Sequence, residues 1–370
     1  MQRTTRRGVL LGSAAATAAL AGCLGSMTTG SEGGEGETTV QSSFFVVSDF
    51  ASTVAGDGLA VNNLVPFGQH GHGWEPGPDV QRKVLGADGF VYVGEGFQPW
   101  ADKLVRNVRD DGADVDVIEA WEGIDLLPAD GGHEEEHHDD GHDEGHHDEE
   151  TTHDGDHHDD EHHGEETTHD DHDAGHEDAH HDEEEHDDHD HGSMDPHFWL
   201  DADRATKAVR TIADGLARVD PENEATYAEN ADVLADRLAA MDATFEERLA
   251  DRTTDTVLVA GHNSFRYLGD RYDFHVEALT GLAPDATPTP KDITRTQAVI
   301  DEHDIEYVLA PVFESDRAAT QLVAETDATD VLPLTPVPSL TDEWHEQGWG
   351  YVDVMENVNL PSLAKALGAE

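Results

Sequence analysis

The sequence predicts an α/β protein with two lobes, each built on a parallel, helix-covered sheet, and a long helix that joins them. Strand-like and helix-like segments alternate between Phe44 and Ile118 and again between Thr256 and Leu334. Such alternation favours parallel sheets, because parallel strands need a crossover connection between them. A helical pattern at Glu222–Ala250 separates the two series and is longer than an ordinary crossover helix. The 370 residues are sufficient for two domains.

In the first series, short apolar runs predict strands and amphipathic runs predict helices. The predicted strands are Phe44–Ser48, Leu59–Val65, Gly89–Val93 and Val115–Ile118. The predicted helices are Asp49–Ala55, Pro78–Gly86, which begins with a proline, and Trp100–Arg109.

The second series follows an amphipathic helix at Ala202–Arg218 and the long helix at Glu222–Ala250. Its predicted strands are Thr256–Ala260, Phe274–Ala278, Glu306–Ala310 and Val331–Leu334. Its predicted helices are Ser264–Arg271, Ile293–His303, Ala318–Thr326 and Val352–Leu367.

The N-terminus has the pattern of a secreted lipoprotein. Arg6-Arg7 form a twin-arginine motif, and the apolar, Ala-rich segment that follows is too short for a good membrane span. Leu20-Ala21-Gly22-Cys23 is similar to a lipobox and contains the chain's single cysteine, so Cys23 is the predicted lipid anchor. We therefore expect a signal peptide over 1–23 and a flexible, Gly-, Ser- and Thr-rich tether over 24–43.

A His/acid segment, His133–His191, interrupts the folded pattern. It holds 19 of the 26 histidines and contains no Lys or Arg. With almost no apolar side chains to bury it is predicted to be disordered, and its imidazoles suit Zn²⁺, Ni²⁺ or Cu²⁺. The alternative is a solvated acidic spacer. The predicted organisation is a first lobe over 44–132, the His/acid loop over 133–192, the end of the first lobe over 193–220, the linking helix over 221–251 and the second lobe over 252–370.

The charge balance excludes one class of partner. The chain has 82 acidic and 21 basic residues and a net charge of −61, whereas nucleic-acid binding needs a basic surface. The abundance of acids outside the loop, and of Arg over Lys, is interpreted as adaptation to high salt. H-E-x-x-H matches at His133 and His176 are expected by chance in such a composition and do not predict a protease.

Three histidines outside the loop are candidate metal ligands. His72 and His262 each follow a predicted strand, and His197 lies where the loop rejoins the fold. Ligands of parallel α/β sheets bind beyond the carboxyl ends of strands, where three imidazoles could meet on one Zn²⁺ and leave a fourth position for water or another side chain. From spacing alone the signal is weak, because a loop histidine is more often a solvated or capping residue than a ligand.

The segments around these histidines carry a resemblance to a family. Asp195-Pro196-His197-Phe198-Trp199-Leu200-Asp201, Gly261-His262-Asn263-Ser264-Phe265 and Gly68 to Pro78 around His72 resemble segments of the solute-binding lipoproteins of cluster A-1 (cluster 9) zinc and manganese ABC transporters, the ZnuA/TroA type. Ala278 to Leu282 and Tyr351 to Met355 are similar to further family segments. The resemblance runs from about Phe44 to the C-terminus, interrupted by the loop.

The resemblance implies a TroA-like fold with a rigid linking helix and His72, His197 and His262 as metal ligands. The chain departs from the family pattern in two places. His70-Gly71 replaces an Asp-Pro and adds an imidazole, and Thr335 stands where the family often has an Asp ligand. The fourth ligand is left open between His70, Glu314, His345 and water, with His345 more simply interpreted as a surface residue.

The expected function is that of a lipid-anchored, extracytoplasmic receptor that captures Zn²⁺ for an ABC permease and its ATPase, as a monomer and not as an enzyme. Imidazole ligands favour Zn²⁺ over Mn²⁺, although Ni²⁺ and Cu²⁺ also suit such a site. The alternatives are a receptor for manganese or another divalent metal, a metal-buffering surface protein without a transporter, and a zinc hydrolase. No G-x-S-x-G motif, P-loop or complete G-x-G-x-x-G occurs in the chain.

Overall fold

The computed structural model describes residues 38–69, 74–129, 194–283 and 286–369. Within these residues lie two parallel four-stranded sheets, so the predicted α/β class is confirmed. The first sheet has the strand order β2-β1-β3-β4, with β1 Thr39–Ser42, β2 Ala60–Asn63, β3 Gly89–Tyr92 and β4 Asp116–Glu119. The second has the order β6-β5-β7-β8, with β5 Thr256–Val259, β6 His275–Ala278, β7 Tyr307–Pro311 and β8 Asp330–Leu334.

The helices connect these strands and link the two sheets. Those of the first part are α1 Phe45–Ala55, α2 Pro78–Leu85, α3 Pro99–Asp111, α4 Ala202–Val219 and α5 Glu224–Leu249. Those that follow are α6 Arg266–Tyr272, α7 Pro290–His303, α8 Arg317–Glu325, α9 Asp342–Glu346, α10 Tyr351–Val354 and α11 Leu360–Ala366. We call the first sheet with α1 to α4 the first lobe, and the second sheet with α6 to α11 the second lobe. No helix in the described ranges combines the length and apolar character of a membrane span.

The prediction of a strand at Phe44–Ser48 is wrong. Residues 45–48 form the first turn of α1, and the strand before it is β1, which lies inside the segment expected to be tether. The helix packs against α4 and α5, and all four residues of its first turn are buried, so the run Phe44–Val47 has no exposed polar face that would distinguish a helix from a strand. The tether must therefore end before Thr39.

The linking helix α5 lies within one residue or two of its predicted bounds and belongs to a core that both lobes share. Its buried side chains include Tyr227, Leu238 and Phe245. They belong to one apolar cluster with residues of both sheets, such as Val91 of β3 and Val257 of β5. Smaller clusters cover the outer faces of the two sheets. The lobes are thus joined by packing along α5 as well as by the chain.

One carboxylate lies where the first lobe, α5 and the second lobe meet. Asp49 of α1 accepts a hydrogen bond from the backbone N–H of Tyr351 at 3.0 Å. Burial raises the pKa of Asp49 to about 6, opposed by this hydrogen bond and by the charge of Arg237, while Asp353 raises it further. The carboxyl group is therefore favoured in its neutral form by the fold.

The predicted helix Val352–Leu367 is interrupted. A π-helical turn, Met355–Asn359, separates α10 from α11. Pro361 has no N–H and its ring would collide with a carbonyl one turn earlier, which accounts for a local change in helical pitch. Within this turn the Asn359 side chain bonds both the N–H and the C=O of Thr335.

Candidate metal centre

Two neighbouring strands of the second lobe bring an imidazole and a carboxylate together. His262 lies three residues after β5, and Glu314 lies three residues after β7, the strand paired with β5. Since the carboxyl ends of parallel strands lie at the same edge of a sheet, the two side chains meet, and His262 Nδ1 contacts Glu314 Oε1. His262 is 1% exposed, so this contact is shielded from solvent.

Gly261 permits this close approach of the two strand ends. A Cβ atom at this position would lie 2.4 Å from Pro311 Cγ and 2.8 Å from Glu314 Oε2. These distances are well below ordinary van der Waals separation, so a side chain would push β7 and Glu314 away from His262. Glycine is therefore required here by space rather than by backbone conformation.

The second imidazole comes from the segment that follows the His/acid loop. His197 is 2% exposed, and its backbone N–H donates to Asp195 Oδ1 at 3.0 Å. The same carboxylate oxygen lies 2.8 Å from His197 Nδ1. Asp195 therefore fixes both the main chain and the ring of His197, and directs the opposite ring edge, with Nε2, away from itself.

The two histidines lie beside each other. Their ring centroids are 5.6 Å apart, and Phe97 and Trp199 pack edge-on to His197. Burial lowers the pKa of His197, partly offset by the hydrogen bond and charge of Asp195, while His262 lowers it further. A neutral imidazole is the form that can coordinate a metal ion.

A carboxylate on Nδ1 of each imidazole is typical of metal-binding histidines. Such a contact fixes the ring orientation and tautomer and makes Nε2 the coordinating atom. Asp195 contacts Nδ1 of His197 and Glu314 contacts Nδ1 of His262 in the same arrangement. Glu314, which the sequence leaves open as a fourth ligand, is 17% exposed on its side chain and is held by His262 in this geometry.

The predicted ligand His72 and its neighbour His70 lie outside the described residues, as does Cys23. The chain immediately before them is tied to the second lobe. The backbone N–H of Gly68 donates to Leu340 C=O at 3.1 Å and to Ser339 Oγ at 2.8 Å. This contact fixes the start of the segment that contains His72.

His345, one of the alternatives for a fourth ligand, and Thr335, which stands where the family often has an Asp ligand, both make structural contacts. His345, in α9, packs its ring 4.4 Å from that of Phe67, which also contacts Phe45. Thr335 is buried, and its Oγ1 accepts a hydrogen bond from the N–H of Val337. Within the ranges that the structure describes, no group of three His, Cys, Asp or Glu side chains is arranged to hold a metal ion, and of the three predicted ligands only His197 and His262 lie in those ranges.

A family model described as the zinc-uptake complex component A periplasmic, ZnuA, matches residues 40–366. The chain belongs to the ZnuA family. The zinc-binding lipoprotein AdcA of Streptococcus pneumoniae is 30% identical over 337 residues, which cover 91% of this chain and 57% of that protein. The chain therefore spans little more than half the length of this relative. The high-affinity zinc uptake system protein ZnuA of Bacillus subtilis is 27% identical, over 94% of this chain and 93% of its own length.

A solved structure from the same family confirms the two-lobe fold. The Zn(II)-bound ZnuA-like domain of S. pneumoniae AdcA superposes with a TM-score of 0.65 and 25% identity. The alignment covers 90% of this chain and 99% of that domain. The predicted TroA-like fold class is thus confirmed, together with the family resemblance.

The sequence does not predict two contacts at the candidate site. Asp195 is recognisable only as part of a motif, although an Asp two residues before a candidate ligand histidine is well placed to contact both its N–H and its ring. Glu314 is open as a fourth ligand in the sequence, but its partner is not predicted. Its contact with His262 spans 52 residues and depends on strand order, which sequence alone does not reveal.

Proposed function

We propose that the chain is an extracytoplasmic receptor that captures Zn²⁺ in a site formed by His72, His197 and His262 and delivers it to an ABC importer. The observation that supports this most directly is the pair of buried, adjacent imidazoles, each oriented by a carboxylate. One comes from the first lobe and the other from the second. Membership of a zinc-uptake family supports the same function.

The donor set supports zinc rather than manganese. Three imidazoles with at most one carboxylate suit Zn²⁺, whereas Mn²⁺ prefers oxygen ligands. A receptor holds its ion without transforming it, so we propose binding and delivery and no catalysis. The hydrolase alternative receives no support from a family of uptake components.

The proposal is tested by the affinity of the full chain for zinc. A competing chelator of high affinity should detect one tight equivalent, since the imidazoles of the His/acid segment are expected to bind more weakly. His197→Ala should lower the zinc affinity of the tight site by more than about 100-fold. Loss of a group that only orients a ligand lowers metal affinity by about 10–100-fold, and His197→Ala removes a ligand itself. His303→Ala, at an exposed position at the end of α7, is the matched control and should bind as tightly as the wild type. Tight binding that survives His197→Ala refutes the proposed ligand set.

We further propose that Cys23 is lipidated and holds the receptor at the outer face of the membrane beside its permease and ATPase. The twin-arginine motif, the apolar segment and the tetrapeptide that ends at Cys23 support this placement.

The His/acid segment would supply weak sites that raise the local zinc concentration next to His197, since transfer within one chain is effectively intramolecular. Full-length protein should bind several more zinc ions at neutral pH than a chain without this segment. If the two proteins bind the same number of zinc ions, the segment is only a spacer.

A further inference from the structure

The two ends of the described chain that flank residues 130–193 are paired with each other. Pro128 and Met194 form an antiparallel bridge, and the N–H of Asp195 donates to Leu127 C=O at 2.7 Å. We call the five residues Leu127, Pro128, Ala129, Met194 and Asp195 the neck. The chain that carries the His/acid segment leaves and rejoins the fold through this neck.

A single hydroxyl group of the second lobe bonds to both strands of the neck. The N–H of Leu127 donates to Tyr267 Oη at 2.8 Å, and Tyr267 Oη donates to Asp195 C=O at 2.8 Å. The Tyr267 ring is fully buried, and the guanidinium of Arg204 lies over it at 5.0 Å. Next to it, Arg266 Nη1 donates to the carbonyls of Pro128 and Ala129. The first residues of α6 therefore hold the neck closed.

The neck is continuous with the candidate metal centre on both sides. The C=O of Asp195 bonds to Tyr267, while its carboxylate fixes the N–H and the ring of His197. Tyr267 lies five residues after His262, on the helix that begins just beyond that ligand. A movement of the neck would thus be transmitted from Asp195 to His197, because only one residue separates them.

The segment between the two strands gives a reason for such a clamp. It has many carboxylates and no Lys or Arg, so its charges repel one another, and metal binding by its imidazoles changes that repulsion. Any resulting pull acts on the two ends of the segment, which are the two strands of the neck. We propose that Tyr267 is a positioning residue that closes the neck with its hydroxyl and so shields the Asp195–His197 geometry from the His/acid segment. This inference rests on the proposed function of His197 as a zinc ligand.

Tyr267→Phe tests the inference, because it removes the hydroxyl and keeps the ring. Tyr272→Phe is the matched control: it lies on the same helix, is also buried, and loses a hydrogen bond from its hydroxyl to Asp242 Oδ1 of 3.0 Å. We expect both variants of the full chain to unfold at a lower temperature without zinc. Only Tyr267→Phe should weaken tight zinc binding, by about tenfold, measured by competition with a chelator. Unchanged affinity in Tyr267→Phe, or an equal loss in both variants, overturns the inference.

A shortened chain separates closure of the neck from other effects of the hydroxyl. Replacing residues 129–193 by Asn-Gly joins the hydrogen-bonded Leu127 and Asp195 through the four-residue loop Pro128-Asn-Gly-Met194, which holds the neck closed covalently. In this background Tyr267→Phe should change zinc affinity by less than about twofold. A tenfold loss here as well would show that the hydroxyl does not act by resisting the segment, and would refute the proposal.

The outcome also distinguishes failure of this inference from failure of the proposed function. If the wild-type chain has no tight zinc equivalent, or keeps it in His197→Ala, the proposed ligand set is wrong. If the wild type binds tightly and loses binding in His197→Ala, while Tyr267→Phe binds as the wild type does, only the role of Tyr267 is wrong.

Discussion

Replacing Gly261 by alanine should damage both the fold and the metal centre through one steric conflict. The new Cβ would lie 2.4 Å from Pro311 Cγ and 2.8 Å from Glu314 Oε2, where ordinary carbon contacts are about 3.5–4.0 Å. Relief of this overlap requires the ends of β5 and β7 to separate by about 1 Å. Overpacking of a buried position of this kind costs about 1–3 kcal/mol in the free energy of unfolding. For a chain of this size we expect the midpoint of thermal unfolding to fall by roughly 1–4 °C.

The same displacement should weaken zinc binding, because it moves Glu314 away from His262 Nδ1 and releases the ring that it orients. Loss of such an orienting contact lowers metal affinity by about 10–100-fold. Gly281→Ala is the control, since a Cβ there has no neighbour within 4 Å, although Gly281 C=O accepts the N–H of Asn263 in the same loop cluster. Thermal unfolding of the metal-free proteins and chelator competition measure the two effects. If Gly261→Ala and Gly281→Ala have the same unfolding midpoint and the same zinc affinity, the close approach of the two strand ends has no energetic importance.

Three further perturbations address other parts of the molecule. Burial raises the pKa of Asp49 from its ordinary value of 3.8 to about 6, so the protonated carboxyl stabilises the fold at low pH and this stabilisation is lost as the pH rises through 6. Asp49→Asn should therefore raise the free energy of unfolding at pH 7 by about 1–3 kcal/mol. In denaturant titrations it should also flatten the fall of that free energy between pH 4 and pH 6. If His345 acts only by packing on Phe67, His345→Phe should keep wild-type zinc affinity while His345→Ala weakens it several-fold, and equal weakening in both would instead identify the imidazole as a ligand. Cys23→Ser should move the protein from the membrane fraction to the medium or leave it unprocessed, and a wild-type mature N-terminus elsewhere than Cys23 would contradict lipidation.

The sequence predicted the architecture well, because strand-helix alternation and the apolar spacing of α5 are properties of local chain segments. It failed at Phe44–Ser48, because an apolar run of only four residues fits a buried helix and a buried strand equally. It also missed α9, although Thr341 caps this helix by accepting from the N–H of Trp344, a pattern that the residues Thr-Asp-Glu do suggest.

At the candidate site, too, local sequence motifs were predictable and contacts between distant residues were not. His197 and His262 could be predicted as ligands because each lies in a recognisable motif next to a strand or helix. The side chains that orient or clamp them could not, because those contacts join distant parts of the chain. Tyr267 and Asp195 are 72 residues apart, and only the packing of α6 against the neck makes them partners.

The pairing of Pro128 with Met194 has a consequence for how this chain can change. Holding two chain ends together costs a free energy that grows only with the logarithm of the intervening length, about 0.6 kcal/mol for each doubling. The segment inserted between Pro128 and Met194 can therefore be lengthened, shortened or replaced with little change in the free energy of folding. A fluorescent domain placed between these two residues would be separated from His197 by only three residues and would turn the protein into a zinc sensor.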